Sequence, residues 1–207
     1  MTLDNQHHNS LAKEYGMTHR IKPEVLAEIA EQVVSEYSPE QKQEMFQAIR
    51  KMLAEHYPDL VDTTARCWIG SRAGGVLGKM TIMYASMSEY LIIFGTPTTT
   101  NGFSGRYNFL KIWDFFLTGE TKTCDLESNQ VEPNIYKAGD IGFLDKGDAL
   151  SCDFEAGSWM IEYGRGPIFT ALVFALADSV MSSVELKSVY LTIKEYSHFV
   201  LRNWIKK

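Results

Sequence analysis

Two kinds of periodicity divide the chain. Apolar residues recur every three or four positions in "KPEVLAEIAEQVVSEY" and in "SPEQKQEMFQAIRKMLAEHYP", so both stretches are predicted to be amphipathic helices. From about residue 66 the pattern changes to short apolar runs separated by Gly, Asn and Asp, which is typical of a β-sandwich or β-barrel. Strands are predicted at residues 88–95, 113–119, 134–145, 149–154 and 158–164.

Helical periodicity returns after Pro167. The stretches "PIFTALVFALADSVM" and "VELKSVYLTIKEYSHFVLRNWIKK" each read as one helix. The pattern therefore predicts an α+β fold in which helices precede and follow a β-barrel. Its expected parts are a flexible tail (1–20), an N-terminal helical segment (21–65), a barrel core (66–165) and C-terminal helices (166–207).

Composition and charge exclude several classes of protein. The formal net charge is -6 and no long basic stripe is present, which argues against nucleic acid as a partner. The three cysteines form no CxxC pair, so we expect no disulfide framework and a reducing, intracellular compartment. The N-terminus has no apolar signal segment, and the apolar run 168–177 is too short to span a bilayer. We expect neither a signal peptide nor a transmembrane helix.

Metal and nucleotide chemistry are not expected either. The stretch "NIYKAGDIGFLDKGDALSCDF" has the cadence of the second half of a cupin jelly roll, but no metal-binding histidine follows its glycine turns. The five histidines, at positions 7, 8, 19, 56 and 198, all lie outside the predicted barrel. The His7-His8 pair is interpreted as part of a solvated tail. The glycine-rich stretch 70–78 lacks the lysine of a phosphate-binding loop and is predicted to be a turn that another backbone approaches closely. We therefore expect no metal and no cofactor.

Acidic residues within apolar runs are the candidate chemistry. Glu162 lies in "SWMIEYG" and Asp114 in "IWDFFL", while Glu89 and Asp178 are interpreted as structural polar groups that accept hydrogen bonds. If two such acids meet in an aromatic barrel, their pKa values shift and they can share a proton. The pair would then serve as acid and base, or would bind a ligand cation.

Four ordered motifs resemble the family of sterol C-8 isomerases and sigma-type (sigma-1, non-opioid) receptors. They are "AGGVLGKM" (73–80), "YASMSEYLIIFGT" (84–96), "GFSGRY" (102–107) and "WMIEYGRG" with "FALADSV". Tyr84 and Phe103 stand where the family usually has histidine. The similarity runs from about residue 23 to the end of the chain.

The resemblance implies a cupin-like β-barrel around an apolar ligand, with two C-terminal helices covering the barrel mouth. It implies that Glu162 faces a ligand cation or a reacting carbon and that Asp114 is its partner, with one residue inserted between Asp114 and "SGRY". Where fungal enzymes carry an acidic pair, this chain has Leu110 and Lys111. The implied cavity lining comprises Val76, Met80, Ile82, Tyr90, Phe94, Tyr107, Ile112, Leu144, Phe154, Ile168, Leu172, Ala175 and Tyr196.

Two functions follow as expectations. The first is a cofactor-independent isomerase that moves a ring double bond of a sterol or related polycyclic lipid from the Δ8 to the Δ7 position. The second is a non-catalytic module that binds hydrophobic amines, sterols or lipids. The last helix carries basic residues and an apolar stripe of Val189, Ile193, Tyr196, Val200 and Trp204, which suits an anionic membrane surface or packing on the barrel or a sister subunit. The family resemblance also implies a homotrimer.

Overall fold

The computed structural model describes residues 19–61 and 63–205 of the chain. The His7-His8 pair and most of the expected tail therefore lie outside the described residues. Residues 19 and 20, which were assigned to that tail, are described. The backbone N–H of Arg20 donates a hydrogen bond to Glu89 Oε1 at 2.8 Å, so this end of the segment is held on the folded core.

Two helices precede the sheets. Helix α1 (Pro23–Glu36) begins at a proline, whose missing N–H costs nothing in the first turn. Helix α2 (Lys42–His56) ends before Tyr57. Each buries one stripe of apolar residues against the six-stranded sheet described next, and these stripes are Leu26, Ile29, Ala30 and Val33 in α1 and Met45, Phe46, Ile49 and Leu53 in α2.

Ten strands form two antiparallel sheets. The strands are β1 (Ile69–Ala73), β2 (Val76–Ala85), β3 (Glu89–Thr96), β4 (Thr100–Phe103), β5 (Lys111–Thr118), β6 (Glu120–Asp125), β7 (Asn134–Lys137), β8 (Ile141–Leu144), β9 (Leu150–Phe154) and β10 (Ser158–Arg165). The larger sheet has the order β1-β2-β3-β10-β5-β8 and the smaller has the order β4-β9-β6-β7. Phe94 and Phe116 of the large sheet contact Phe154 and Tyr136 of the small one, so the two sheets face each other as in a cupin barrel.

The large sheet separates the apolar core from the barrel interior. Along β10, Ile161 and Tyr163 point toward the N-terminal helices, while Met160 and Glu162 point into the barrel. On the outer face, Phe46 of α2 packs against the Trp159 ring with a centroid distance of 4.9 Å. This two-sided arrangement explains why β10 is apolar at nearly every position.

Each of the five predicted strand regions contains a strand, and four further strands were missed. The region 134–145 is divided into β7 and β8 by a turn at Gly139 and Asp140. The glycine-rich stretch 70–78 is a β1–β2 hairpin whose turn residues Gly74 and Gly75 both have positive φ, at 60° and 88°. The other missed strands, β4 and β6, are rich in polar residues, and their strand signal in the sequence is therefore weak.

Two C-terminal helices complete the α+β fold. Helix α3 (Phe169–Met181) and helix α4 (Leu186–Ile205) both pack on β1 and lie over one opening of the barrel. Phe174 of α3 approaches the backbone at Gly105, where a Cβ atom would lie 2.9 Å from its ring. The predicted class, a cupin-like barrel with N-terminal helices and two covering C-terminal helices, is confirmed.

The apolar stripe predicted on α4 is divided between the barrel and solvent. Tyr196 of the stripe donates a hydrogen bond to the Ser86 carbonyl at 2.9 Å, whereas Ile193 is 49% exposed. The buried residues of this helix are Ser188, Thr192, Glu195 and Phe199, and Arg66 pairs with the buried Glu195 at 2.6 Å. Between residues 19 and 205, leaving out residue 62, no helix has the length and apolar character needed to cross a membrane.

Candidate functional site

A largely apolar cavity of about 220 Å³ lies between the two sheets and beneath α3 and α4. The structure places all thirteen residues of the expected lining on its walls, and they are Val76, Met80, Ile82, Tyr90, Phe94, Tyr107, Ile112, Leu144, Phe154, Ile168, Leu172, Ala175 and Tyr196. None of the described residues that line it is Lys, Arg or His. Negatively charged ligands would therefore find no counter-charge there.

Asp114 and Glu162 are brought together on the floor of this cavity. Asp114 lies in β5 and Glu162 in the neighbouring β10, and the antiparallel register places them directly opposite each other. Opposed residues on one face of such a pair have Cβ atoms about 5 Å apart. Two carboxyl groups at this distance repel each other when both are ionised, so one proton shared by the pair is the favoured state.

Glu162 has one hydrogen-bond donor, the hydroxyl of Tyr90. The Tyr90 O–H donates to Glu162 Oε1 at 2.6 Å, which is the short distance expected for a bond to a carboxylate. Burial raises the pKa of Glu162 above its ordinary value, and the Tyr90 hydrogen bond opposes that rise by stabilising the ionised form. Glu162 forms no ion pair with any of the residues described by the structure.

Asp114 is the member of the pair whose ionised form is less stabilised. Its Oδ1 atom is buried and has no hydrogen-bond partner among the described residues. Burial, and then the charge of Glu162, raise the pKa of Asp114 well above its usual range. Because the Tyr90 hydrogen bond favours ionisation of Glu162 and no described donor reaches Asp114 Oδ1, the arrangement favours a proton on Asp114 over one on Glu162.

Two further ionisable groups on the cavity wall stay neutral. Burial and the charge of Glu162 raise the pKa of the Tyr107 hydroxyl, and the Tyr107 ring contacts Phe174 of α3 edge-on at 5.4 Å. Burial raises the pKa of the Cys152 thiol to about 12, with smaller contributions from Asp114 and Glu162. Neither group therefore adds a charge to the site near neutral pH.

The sequence profile of one family, described as "ERG2 and Sigma1 receptor like protein", matches residues 7–207 of the chain. The chain belongs to this family. Over 134 residues it is 39% identical to sigma non-opioid intracellular receptor 1 of Xenopus tropicalis, a match that covers 65% of this chain and 59% of the relative. Over 154 residues it is 32% identical to C-8 sterol isomerase ERG2 of Gibberella zeae, covering 74% of this chain and 64% of the relative.

The matched region thus spans about three fifths of the length of these curated relatives. The barrel is also similar to an RmlC-like cupin from Shewanella frigidimarina, at 12% identity and a TM-score of 0.38, over 48% of this chain and 82% of that one. Nothing about function follows from so distant a structural similarity.

Glu89 lies outside the cavity of this member of the ERG2 and Sigma1 receptor like family. It is one of the two acids interpreted as structural polar groups. Its carboxylate accepts hydrogen bonds from the Arg20 and Ile21 backbone N–H groups, at 2.8 and 3.3 Å. It also accepts one from the Tyr163 hydroxyl at 2.7 Å and one from the Tyr84 hydroxyl at 3.4 Å. Glu89 therefore holds the N-terminal segment against the outer face of the large sheet.

Asp178 links α3 to the β1–β2 hairpin. Its Oδ2 accepts a hydrogen bond from the Gly75 backbone N–H at 2.9 Å and lies 3.9 Å from the Arg72 guanidinium. Its side chain is 23% exposed, so it is not the buried acid that its apolar sequence context suggested. A hydrogen bond from Ser182, and then the one from Gly75, hold the pKa of Asp178 below its ordinary value.

Sequence reasoning missed part of the cavity wall. The small sheet contributes Thr121, Thr123, Tyr136, Leu150 and Cys152, and α3 contributes Phe174. Leu150 and Cys152 share a strand face with the predicted Phe154, so the two-residue period would have found them. β6 was not predicted as a strand at all, and its threonines therefore escaped notice. Within the described residues, no cluster of three His, Cys, Asp or Glu side chains is arranged to hold a metal ion.

Proposed function

We propose that this protein is a cofactor-independent isomerase of the sterol C-8 type, acting on a sterol or a related polycyclic lipid. The observation that carries the proposal is the pair of Asp114 and Glu162, which lie opposite each other on the wall of an apolar cavity, where burial raises the pKa of both and the Tyr90 hydrogen bond favours ionisation of Glu162. A carboxylic acid that keeps its proton near neutral pH can protonate an alkene, which acids in water do very slowly.

The reaction moves one ring double bond by one position. Asp114 donates its proton to one alkene carbon, and the π electrons form the new C–H bond and leave a carbocation on the other carbon. The Glu162 carboxylate stabilises that cation electrostatically. A C–H bond on the neighbouring carbon then breaks, its electrons form the new double bond, and its proton passes to a carboxylate of the pair. The pair ends with one proton, as it began.

One relative and the cavity itself support this proposal. The relative is named a C-8 sterol isomerase. The cavity has largely hydrocarbon walls, which would exclude water from a cationic intermediate. Leu110 is buried and Lys111 pairs with Asp145 at 3.3 Å, so these two positions add no acid to the site. The proposed chemistry therefore depends on Asp114 and Glu162 alone.

Incubation of the purified protein with a Δ8-sterol, followed by mass spectrometry of the products, tests the proposal. Formation of the Δ7 isomer is expected, with a loss of at least about a hundredfold in Asp114→Asn and Glu162→Gln. The matched control is Asp153→Asn, which removes an exposed acid from β9 outside the cavity. Absence of the product from folded wild-type protein refutes the isomerase.

A specific observation favours a second function, the binding of hydrophobic amines. Glu162 is a carboxylate that lines the cavity and forms no ion pair in the described part of the chain, so a ligand ammonium would supply the missing counter-charge. Asp114, kept neutral, would add no second charge. A protein that binds a tertiary amine, loses that binding in Glu162→Gln and yields no Δ7-sterol is a binding module rather than an isomerase.

We further propose that the protein lies on a membrane surface through α3 and α4. The outward face of α3 exposes Phe169, Val173 and Met181 at 56%, 69% and 83%, and that of α4 exposes Tyr190 and Leu201 at 63% and 54%. Apolar residues exposed along two adjacent helices, with basic residues beside them, are typical of interfacial binding.

Flotation with vesicles of phosphatidylcholine and phosphatidylserine tests this surface. Val173→Glu combined with Tyr190→Glu is expected to abolish flotation, while Leu126→Glu, a matched change at a 58% exposed residue beyond β6, leaves it intact. Equal flotation of all three proteins contradicts the proposal. The homotrimer implied by the family resemblance is tested by light scattering, which would give three times the 23.5 kDa of one chain.

A further inference from the structure

Two threonines of the small sheet share one strand face on the cavity wall. Thr121 and Thr123 are two residues apart in β6, so their side chains point the same way, and both line the cavity. They are 1% and 8% exposed. Neither is part of the carboxylate pair, which belongs to the opposite, six-stranded sheet.

The hydroxyl oxygens of both threonines are buried, and no described residue forms a hydrogen bond with either of them. Two other buried threonines of the barrel are satisfied, since Thr118 donates to the Gly157 carbonyl at 2.7 Å and Thr96 donates to the Glu155 carbonyl at 3.2 Å, whereas Thr81, which does not line the cavity, has no partner among the described residues. A buried hydroxyl without a partner destabilises a fold, and valine would fill the same space without that cost. Two such hydroxyls side by side on a cavity wall therefore indicate a partner that comes from outside the chain.

The surroundings of the two hydroxyls define the chemistry of that partner. On β9, Cys152 pairs with Thr123 and Phe154 pairs with Thr121. The Cys152 thiol donates its hydrogen bond to the Leu150 carbonyl at 3.8 Å, so it does not donate to the threonine hydroxyls. With no Lys, Arg or His among the described lining residues, a carboxylate or phosphate is disfavoured. A neutral oxygen, which accepts from or donates to the hydroxyls, fits.

We propose that Thr121 and Thr123 form a second polar subsite, which binds an uncharged hydroxyl or ketone oxygen of the ligand. The subsite would hold this oxygen on the small sheet while the rest of the molecule extends toward Asp114 and Glu162 on the large sheet. The inference rests on the proposed function in one respect, namely that an apolar lipid enters this cavity. It adds the polar group that the lipid must carry and the direction in which the lipid lies.

A single polycyclic alcohol can engage both walls. Its hydroxyl is attached to a terminal ring, whereas the atoms that react with a carboxyl pair lie one or more rings away. Facing sheets are about 10 Å apart, which is a distance that such a fused ring system bridges. Thr121 and Thr123 would thus select the ligand and fix its orientation, but they would take no part in proton transfer.

The test compares two probes that differ by one hydroxyl, cholestanol and the hydrocarbon cholestane, both delivered from cyclodextrin. Wild-type protein is expected to bind cholestanol about tenfold or more tightly than cholestane. In Thr121→Val/Thr123→Val this preference is expected to disappear through weaker cholestanol binding, with cholestane binding unchanged. The thermal stability of the unliganded double variant should be equal to or above that of wild type. Weaker cholestanol binding would then not result from unfolding.

Thr81→Val is the matched control. Its hydroxyl is also buried without a partner in the described part of the chain, but Thr81 does not line the cavity. This variant should keep the wild-type preference for cholestanol. If the ratio of cholestanol affinity to cholestane affinity is the same in wild type and in the double variant, the subsite is refuted, while the proposal that the cavity binds lipids is retained. If neither probe binds, the proposed lipid-binding function and the subsite are overturned together.

Discussion

The ring of Tyr90 packs against the backbone of Gly164, its direct neighbour across the β3–β10 pair. A Cβ atom on Gly164 would lie 2.1 Å from the Tyr90 ring, closer than any real contact. The absence of a side chain at Gly164 thus leaves room for the Tyr90 ring, whose hydroxyl reaches Glu162, two residues before Gly164 in β10. The donor of the hydrogen bond to Glu162 is therefore positioned by a residue that has no side chain.

Gly164→Ala is expected to remove the Tyr90–Glu162 hydrogen bond by displacing the ring. The variant should lose ligand binding or turnover by about tenfold, the value of one hydrogen bond to a charged group. Tyr90→Phe should show a loss of similar size, and the Gly164→Ala/Tyr90→Phe double variant little more than either alone, because both changes break one bond. Measurement of amine affinity and of Δ7-sterol formation provides the readout.

A glycine-to-alanine change elsewhere in the large sheet is the control. A Cβ atom on Gly70 in β1 would meet the Ser188 hydroxyl at 3.1 Å, and that hydroxyl can rotate away. Gly70→Ala should therefore leave affinity and turnover near the wild-type values. Additive losses in the Gly164→Ala/Tyr90→Phe double variant would contradict the mechanism, since they would show that the two residues act separately.

The raised pKa of Asp114 makes stability depend on pH. In the unfolded chain this carboxyl ionises near its ordinary pKa of 3.8, whereas in the folded protein burial and Glu162 keep it protonated to higher pH. The folded state therefore binds more protons than the unfolded state above pH 3.8, and stability falls as pH rises through that window. Asp114→Asn, which has the shape of the neutral acid, should be more stable than wild type at pH 7.

The gain in Asp114→Asn should shrink as pH falls toward 3.8, where wild-type Asp114 is protonated in both states. Urea unfolding at a series of pH values measures it. Asp153→Asn, at an exposed acid in β9, should show no comparable trend. A stability difference between Asp114→Asn and wild type that stays constant from acid to neutral pH would show that folding does not raise the pKa of Asp114.

The sequence predicted the elements whose burial pattern is regular and missed those decided by neighbours in space. Long apolar runs predict β10 and β3, and Glu162 is conspicuous because it interrupts one of these runs. No local pattern shows that Asp114 lies opposite Glu162, since that depends on the β5–β10 register. The burial of Glu195 was not predicted, because its partner Arg66 is 129 residues away and is not visible in the periodicity of α4. The strand β6, with Thr121 and Thr123, was missed because it is rich in polar residues and its neighbours in space are not visible in the sequence.

Glu89→Gln is expected to destabilise the fold without altering the cavity. Glu89 is completely buried and accepts four hydrogen bonds, whereas glutamine offers one acceptor oxygen and places an amide group where donors already point. The expected loss in the free energy of unfolding is about 2 kcal/mol. Tyr84→Phe, which removes only the 3.4 Å bond, should cost less. Unfolding in urea distinguishes the two, and equal losses would show that the shorter bonds contribute nothing.

The ion pair between Arg66 and Glu195 anchors α4 to the barrel, and its two partners should behave as one unit. Glu195 has a side chain that is only 7% exposed, so Arg66→Met leaves an unpaired buried charge and should cost about 3–5 kcal/mol. Replacement of both, Arg66→Met with Glu195→Leu, removes the charge as well as its partner and should restore most of that loss. Urea unfolding of the wild type, of Arg66→Met, of Glu195→Leu and of the double variant gives the four free energies, and hydrogen exchange of the α4 amides reports whether Arg66→Met releases this helix. If the double variant is as unstable as the sum of the single changes, the pair contributes through packing, including the Arg66 contact with Phe199, and the charge interaction is not what holds α4.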